Sequence, residues 1–104
     1  MKIQISESAY NDLYEGYLFY ESQREGLGNY FQESLFSDID SLKIYAGIQS
    51  KHFEKYRLLS KRFPYAIYYT IKFEVIIISA VLDCRKNPVW IRNKLKWESG
   101  SRGF

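Results

Sequence analysis

Apolar residues in this chain recur every three or four positions up to residue 46, and from residue 56 they alternate or run together. The first spacing belongs to helices and the second to strands. Lys2 to Ile5 alternates, with Ile3 and Ile5 on one side, and predicts a short strand. Ser6 then offers a hydroxyl to an unpaired first-turn N–H, and Glu7 suits the positive end of the helix dipole. Ala9, Leu13, Tyr17 and Tyr20 make one helical face, widened by Tyr10, Tyr14 and Leu18. The helix is expected to reach about Arg24, because Gly26-Leu27-Gly28-Asn29 breaks the pattern. Phe31, Leu35, Ile39, Leu42 and Ala46 hold the same spacing and predict a second helix, with Gly47 as its C-terminal cap. Two such helices joined by a short glycine turn form an antiparallel hairpin, whose apolar faces need a further surface.

The second half supplies it. Residues 47–55 read as a polar connection. Strands are predicted over Tyr56–Ser60, Tyr65–Lys72 and Val75–Leu82, the last apolar on both faces as a central strand must be. The turn at Lys72-Phe73-Glu74 has no glycine, so its type is open. Asn87 and Pro88 suit the cap and first position of a last helix, which Trp90, Ile91 and Leu95 would dock. The expected architecture is α+β in a single domain over residues 1–104. A strand (1–5) and helical hairpin (6–46) pack on a small, mostly antiparallel sheet (56–84), followed by a short helix (88–95) and a loose tail (96–104).

Charge follows the same division. Residues 1–46 hold eight acidic and three basic side chains, and residues 47–104 hold four and twelve. A net charge of +3 conceals this polarity. One face should be strongly cationic and should attract phosphates or an acidic partner. Ten tyrosines in 104 residues exceed what one small core can hide, so some should line a partner surface. The single cysteine, Cys84, excludes an intrachain disulfide and fits a reducing compartment. The segment MKIQISESAY lacks the apolar core of a signal peptide, and the longest apolar run, Val75 to Ile78, is too short to cross a bilayer. A soluble cytoplasmic protein is therefore expected.

The stretches YRLLSKRFPYAIYY (56–69), VIIISAVLDCRKNPVWIR (75–92) and FYESQREGLGNYF (19–31), in this order, resemble the RelE/ParE toxin superfamily of type II toxin–antitoxin modules, which includes plasmid stabilisation proteins. The resemblance covers nearly the whole chain. It implies a growth-inhibiting toxin held inactive by a cognate antitoxin. Its target would be DNA gyrase in the ParE manner, or the ribosome with its mRNA in the RelE manner. A third possibility is an inactive homologue that only binds its antitoxin.

Metal-free RNA cleavage needs a base, cations at the phosphate and an acid for the leaving oxygen. The resemblance matches Arg85 to the phosphate-holding arginine of RelE-like enzymes. Lys55, Lys61 and Arg85 are the catalytic candidates under that reading. Arg57, Lys61, Arg62, Arg85 and Lys86 are the candidates for binding phosphate or target. Two departures stand out: the family's middle-strand arginine falls at about Ala66, and its C-terminal tyrosine falls near Trp90 or Ile91. There is no tyrosine after Tyr69. This favours a ParE-like toxin that inhibits gyrase without hydrolysis. His52, the lone histidine, reads as a surface-loop residue, Cys84 as a small strand-end residue, and Asp83 as the partner of a nearby base. Tyr10, Tyr14 and Tyr17 are the candidate antitoxin contacts. No metal spacing and no nucleotide fingerprint is visible, so neither metal nor cofactor is expected. Nor is a membrane partner.

Overall fold

The computed structural model describes residues 1–98. Its elements are β1 (Lys2–Ile5), α1 (Glu7–Gln23), α2 (Leu27–Asp40), α3 (Leu42–Tyr45), β2 (Lys51–His52), β3 (Lys55–Leu59), β4 (Tyr65–Lys72), β5 (Val75–Asp83) and α4 (Pro88–Glu98). The five strands form one sheet in the order β1-β5-β4-β3-β2. β1 runs parallel to β5, and the other neighbours are antiparallel. The α+β architecture and the helical hairpin are as the periodicity predicts.

Each helix start has a local cause. The Ser6 hydroxyl accepts the Ala9 N–H at 3.0 Å and starts α1. Asn87 Oδ1 accepts the Val89 N–H at 2.7 Å and starts α4, with Pro88 at its first position. Gly26 (φ +88°) opens α2 and Gly47 (φ +91°) follows α3, both in the left-handed region that glycine enters freely. Glu21 reaches across the hairpin turn and accepts the N–H groups of Gly26 and Gly28. The crossing of α1 and α2 is close because two glycines receive rings. A Cβ on Gly16 would lie 2.5 Å from the Phe31 ring, and one on Gly28 would lie 2.7 Å from the Tyr17 ring.

Two cores lie on the two faces of the sheet. The hairpin covers one with Ala9, Leu13, Tyr20, Phe31, Leu35 and Ile39, against Tyr65, Ile67, Tyr69, Ile76, Ile78 and Val81. Helix α4 covers part of the other, setting Ile91 and Leu95 on Ala66, Tyr68, Ala80 and Leu82. In β5 the phase changes between the two sets. Tyr68 pairs with Ala80 and Tyr69 with Ile78, so Ser79 is an extra, bulged residue. Before the bulge the even-numbered Ile76 and Ile78 face the hairpin; after it the odd-numbered Val81 does. The pairing with β1 ends at Ile5↔Ile78. Beyond it the Val81 N–H is accepted by the buried carboxylate of Asp12 at 3.0 Å, and the Ser79 carbonyl accepts the Ser6 hydroxyl at 3.3 Å.

Several expectations are corrected. Residues 47–55 are not only a connection. Lys51–His52 forms an edge strand with β3, so His52 lies in a strand and not a loop. β3 spans Lys55–Leu59 instead of Tyr56–Ser60. The second helix is interrupted at Ser41, which separates α2 from the single turn of α3. Trp90 does not dock with Ile91 and Leu95 but remains exposed. Lys96 to Glu98 belong to α4, not to a loose tail, and the rest of that tail, 99–104, lies outside the described residues. The glycine-free turn is also resolved. Phe73 (φ 50°) and Glu74 (φ 64°) both adopt positive φ, and Phe53 and Glu54 do the same between β2 and β3. Both pairs form two-residue hairpin turns whose twist matches that of the flanking strands.

Ile78 is fully buried, whereas its neighbour Ile77 is only half-buried. Ile78→Ala should cost about 2–5 kcal/mol in urea unfolding, and Ile77→Ala distinctly less. Asp12→Ala should cost about 1–3 kcal/mol, because it leaves the Val81 N–H without its acceptor. Equal losses at positions 77 and 78 would contradict the assigned register.

Candidate functional site

The cationic candidates divide by their place on the sheet. The turn after β3 carries the exposed Lys61 and Arg62, and the segment after β5 carries Arg85 and Lys86. These segments meet at one end of the sheet, where Ser60 N–H donates to the Tyr65 carbonyl and Cys84 N–H to the Pro64 carbonyl. Asp38 on α2 secures the first turn by accepting the Ser60 hydroxyl at 2.7 Å and the Lys61 N–H at 3.4 Å. Lys55 stands at the opposite end of β3 and is buried, 8% exposed. Six strand residues span about 20 Å. Lys55 and Lys61, the two lysine candidates for proton transfer, are therefore not gathered on one centre.

Arg85 is engaged with its own chain. Its Nε and Nη2 donate to the two oxygens of Asp83 at 2.9 and 2.8 Å, and its backbone N–H adds a third bond to Asp83 at 2.8 Å. The pairing expected of Asp83 is thus found, and its partner is Arg85. The guanidinium hydrogen bonds hold the Asp83 carboxyl below the usual carboxylate range, and Asp83 in turn raises the Arg85 pKa. Tyr20 and Tyr65 stand behind this pair. Burial pushes Tyr65 up to about 12 and raises Tyr20, which Arg85 also hydrogen-bonds. Their rings join Phe31 and Phe63 in a cluster with centroids 4.9 to 6.2 Å apart. Lys86 lies over the Trp90 ring, 5.2 Å from its centroid, and Lys94 approaches the same ring at 5.8 Å.

Arg57 sits in mid-sheet opposite Tyr68, on the face that α4 covers. Burial raises the Tyr68 hydroxyl, against a hydrogen bond from Arg57 that lowers it. Cys84 is exposed as a residue, yet local desolvation raises its thiol, with Arg57 opposing. The thiol is therefore held protonated, which suits the reading of a small strand-end residue better than that of a nucleophile. Between α1, α4 and the end of β5 lies a cleft of about 220 Å³. Asp12, Glu15, Asp83, Lys86 and Lys94 line it together with Phe19 and Trp90. Tyr10, Tyr14 and Leu18 lie on the solvent side of α1 and do not widen its buried face as their spacing suggests, and Tyr17 stacks on Tyr14 at 6.3 Å while packing against Gly28.

Sequence reasoning missed Asp12 and Tyr20 as parts of this arrangement. A signal existed for Asp12: a carboxylate three residues after Ala9 and one before Leu13 sits inside an apolar helical face. Tyr20 reads as core, and nothing in its spacing marks the arginine it meets.

No family model matches the chain, and no curated protein matches it. Among solved structures, it is similar to a chain of the chromosomal ParDE TA system from P. aeruginosa. The two are 19% identical, with a TM-score of 0.71, over 78% of this chain and 92% of that one. This likeness establishes a shared fold, the fold the sequence resemblance implied. Among the described residues, no helix is long and apolar enough to cross a membrane.

Asp83, with its lowered pKa, contributes stability that is complete above the unfolded carboxylate value and is lost as pH falls through the folded one. Asp83→Asn should therefore destabilise the protein at neutral pH. Its gap from the natural chain should close as pH drops below about 4. Urea midpoints across acidic pH measure this, and a gap that persists into strong acid would show that the ion pair is not its source.

Proposed function

We propose that this chain is the toxin of a type II toxin–antitoxin pair, acting in the ParE manner: it inhibits DNA gyrase in the cytoplasm by binding, without hydrolysis. The observation that carries this reading is the occupied sheet face. Helix α4 lies over Ala66, Tyr68, Ala80 and Leu82, where a ribonuclease would need an open surface for its RNA. Two further observations support it. Arg85, the phosphate-holding candidate, is closed onto Asp83. Lys55 is buried at the end of β3 far from Lys61. Lys61, Arg62 and Lys86, beside the Arg85–Asp83 pair, form a cationic rim suited to a protein or nucleic-acid contact. The likeness to a ParDE chain favours the same class. A cognate antitoxin would cover the α1 surface that presents Tyr10, Tyr14 and Tyr17.

One observation favours the RelE-like alternative, a ribosome-dependent mRNA endonuclease. Arg57 and Tyr68 place a cation against a phenol in mid-sheet, a pairing able to serve phosphate chemistry. It would require α4 to leave the sheet.

Induced expression is expected to produce DNA breaks and filamentous cells, and the purified protein to inhibit gyrase supercoiling, while ribosome-bound mRNA stays intact by primer extension. Discrete cuts at ribosomal A-site codons with normal supercoiling would overturn the gyrase reading in favour of the endonuclease. Charge reversal at Lys61 and Arg62 should weaken target binding, more so at low salt than at high salt.

A further inference from the structure

The hairpin presents an apolar stripe inside an acidic frame. Tyr10 and Tyr14 are 53% and 56% exposed, and Leu18, one turn further on, is 47% exposed. These three residues project from α1 into solvent, clear of the buried Ala9, Leu13 and Tyr20 and of Gly16, which receives the Phe31 ring of α2. From Tyr10 to Leu18 the stripe runs about 12 Å, slightly more than two turns. It has a firm base: Tyr17 stacks beside Tyr14 and is seated on Gly28 of the neighbouring helix. The exposed Glu7 and Glu15 border it and make no ion pair among the described residues, although Glu15 also lines the cleft that Lys86 and Lys94 share. Neither α1 nor α2 contains a lysine or arginine. Arg24, in the turn between them, is the single basic residue from position 7 to position 40.

From this combination we infer that the α1 stripe docks an amphipathic helix whose apolar seam is flanked by lysine or arginine. The inference rests on the antitoxin reading and specifies the chemistry of the segment that reaches this face. An apolar seam matching Tyr10, Tyr14 and Leu18 supplies the buried area. Basic flanks supply the complement to Glu7 and Glu15. An acidic helix with the same seam meets like charge on this face and is rejected. The acidic part of a partner belongs on the cationic end of the sheet instead, near Lys61 and Arg62. A single antitoxin that covers both surfaces therefore carries a basic segment for the first and an acidic segment for the second.

The test uses the full chain and two designed helical peptides that share one leucine seam, one with lysine flanks and one with glutamate flanks. Fluorescence anisotropy at low and at physiological salt reads the affinities. The lysine peptide is expected to bind roughly tenfold or more tighter than the glutamate peptide. The double variant Asn11→Lys/Glu15→Lys, both exposed positions, should reverse that preference, and Tyr14→Ala should weaken binding of the lysine peptide several-fold. Circular dichroism of each variant confirms that the fold is kept. Equal binding of the two peptides, no binding of either, or indifference to both variants overturns the inference. So does concentration-dependent self-association abolished by Tyr14→Ala, because the occupant is then a second copy of this chain. The assay requires neither toxicity nor an antitoxin. Failure here leaves the toxin reading standing, and a harmless protein that binds the lysine peptide as expected refutes the toxin reading alone.

Discussion

The open edge left where β1 stops is the constraint on which the rest of this structure depends. β1 accompanies β5 only as far as Ile78, while β5 continues to Asp83. The far half of a central strand would then carry unsatisfied backbone groups beneath a helix, which is costly. Asp12 meets this demand by accepting the Val81 N–H from α1. Ser6, the residue that starts α1, bonds back to Ser79 at the bulge. The same two contacts fix the height and angle of the hairpin on the sheet.

The bulge has a second consequence. By inserting Ser79 it turns Ala80 and Leu82 toward α4 and Val81 toward the hairpin. Both layers are thereby anchored to the last turn of one strand, and that strand ends at Asp83. Arg85 folds back onto Asp83 and meets Tyr20 of α1, so the charged end of the sheet is linked to the hairpin through the Arg85–Tyr20 contact. An exposed ion pair by itself contributes little to stability. Its effect here is positional: the cationic rim, the aromatic cluster and the start of α4 are held in one arrangement.

Function follows from how this arrangement distributes charge and access. The molecule has an acidic helical pole bearing a tyrosine stripe and a basic sheet pole bearing Lys61, Arg62, Arg85 and Lys86. Part of the sheet face opposite the hairpin is covered by Ile91 and Leu95. A surface of this kind is suited to recognition.

Much of this was legible in the chain. Spacing marks α1, α2 and β4, because one buried face imposes a period on each, and a run apolar on both faces marks β5. Ser6 and the Asn87-Pro88 pair mark helix starts through local hydrogen bonding that needs no tertiary partner. The split in charge is likewise written in the order of residues, and so is the resemblance that implied the fold. Four features required the folded molecule. The two-residue strand β2 exists only because β3 pairs with it, and so short a segment has no period to read. The glycine-free turns at Phe53-Glu54 and Phe73-Glu74 take positive φ because strand registers on both sides demand it, against the residues' own preference. The role of Asp12 depends on an N–H sixty-nine positions away. Arg85 reads in sequence as a free phosphate ligand, and only the close turn after β5 and the approach of Tyr20 show it engaged. Sequence determines what each segment can bury and how it can begin. Which polar groups are left over, and which charges remain free to meet a partner, is decided only when distant segments compete for the same hydrogen bonds.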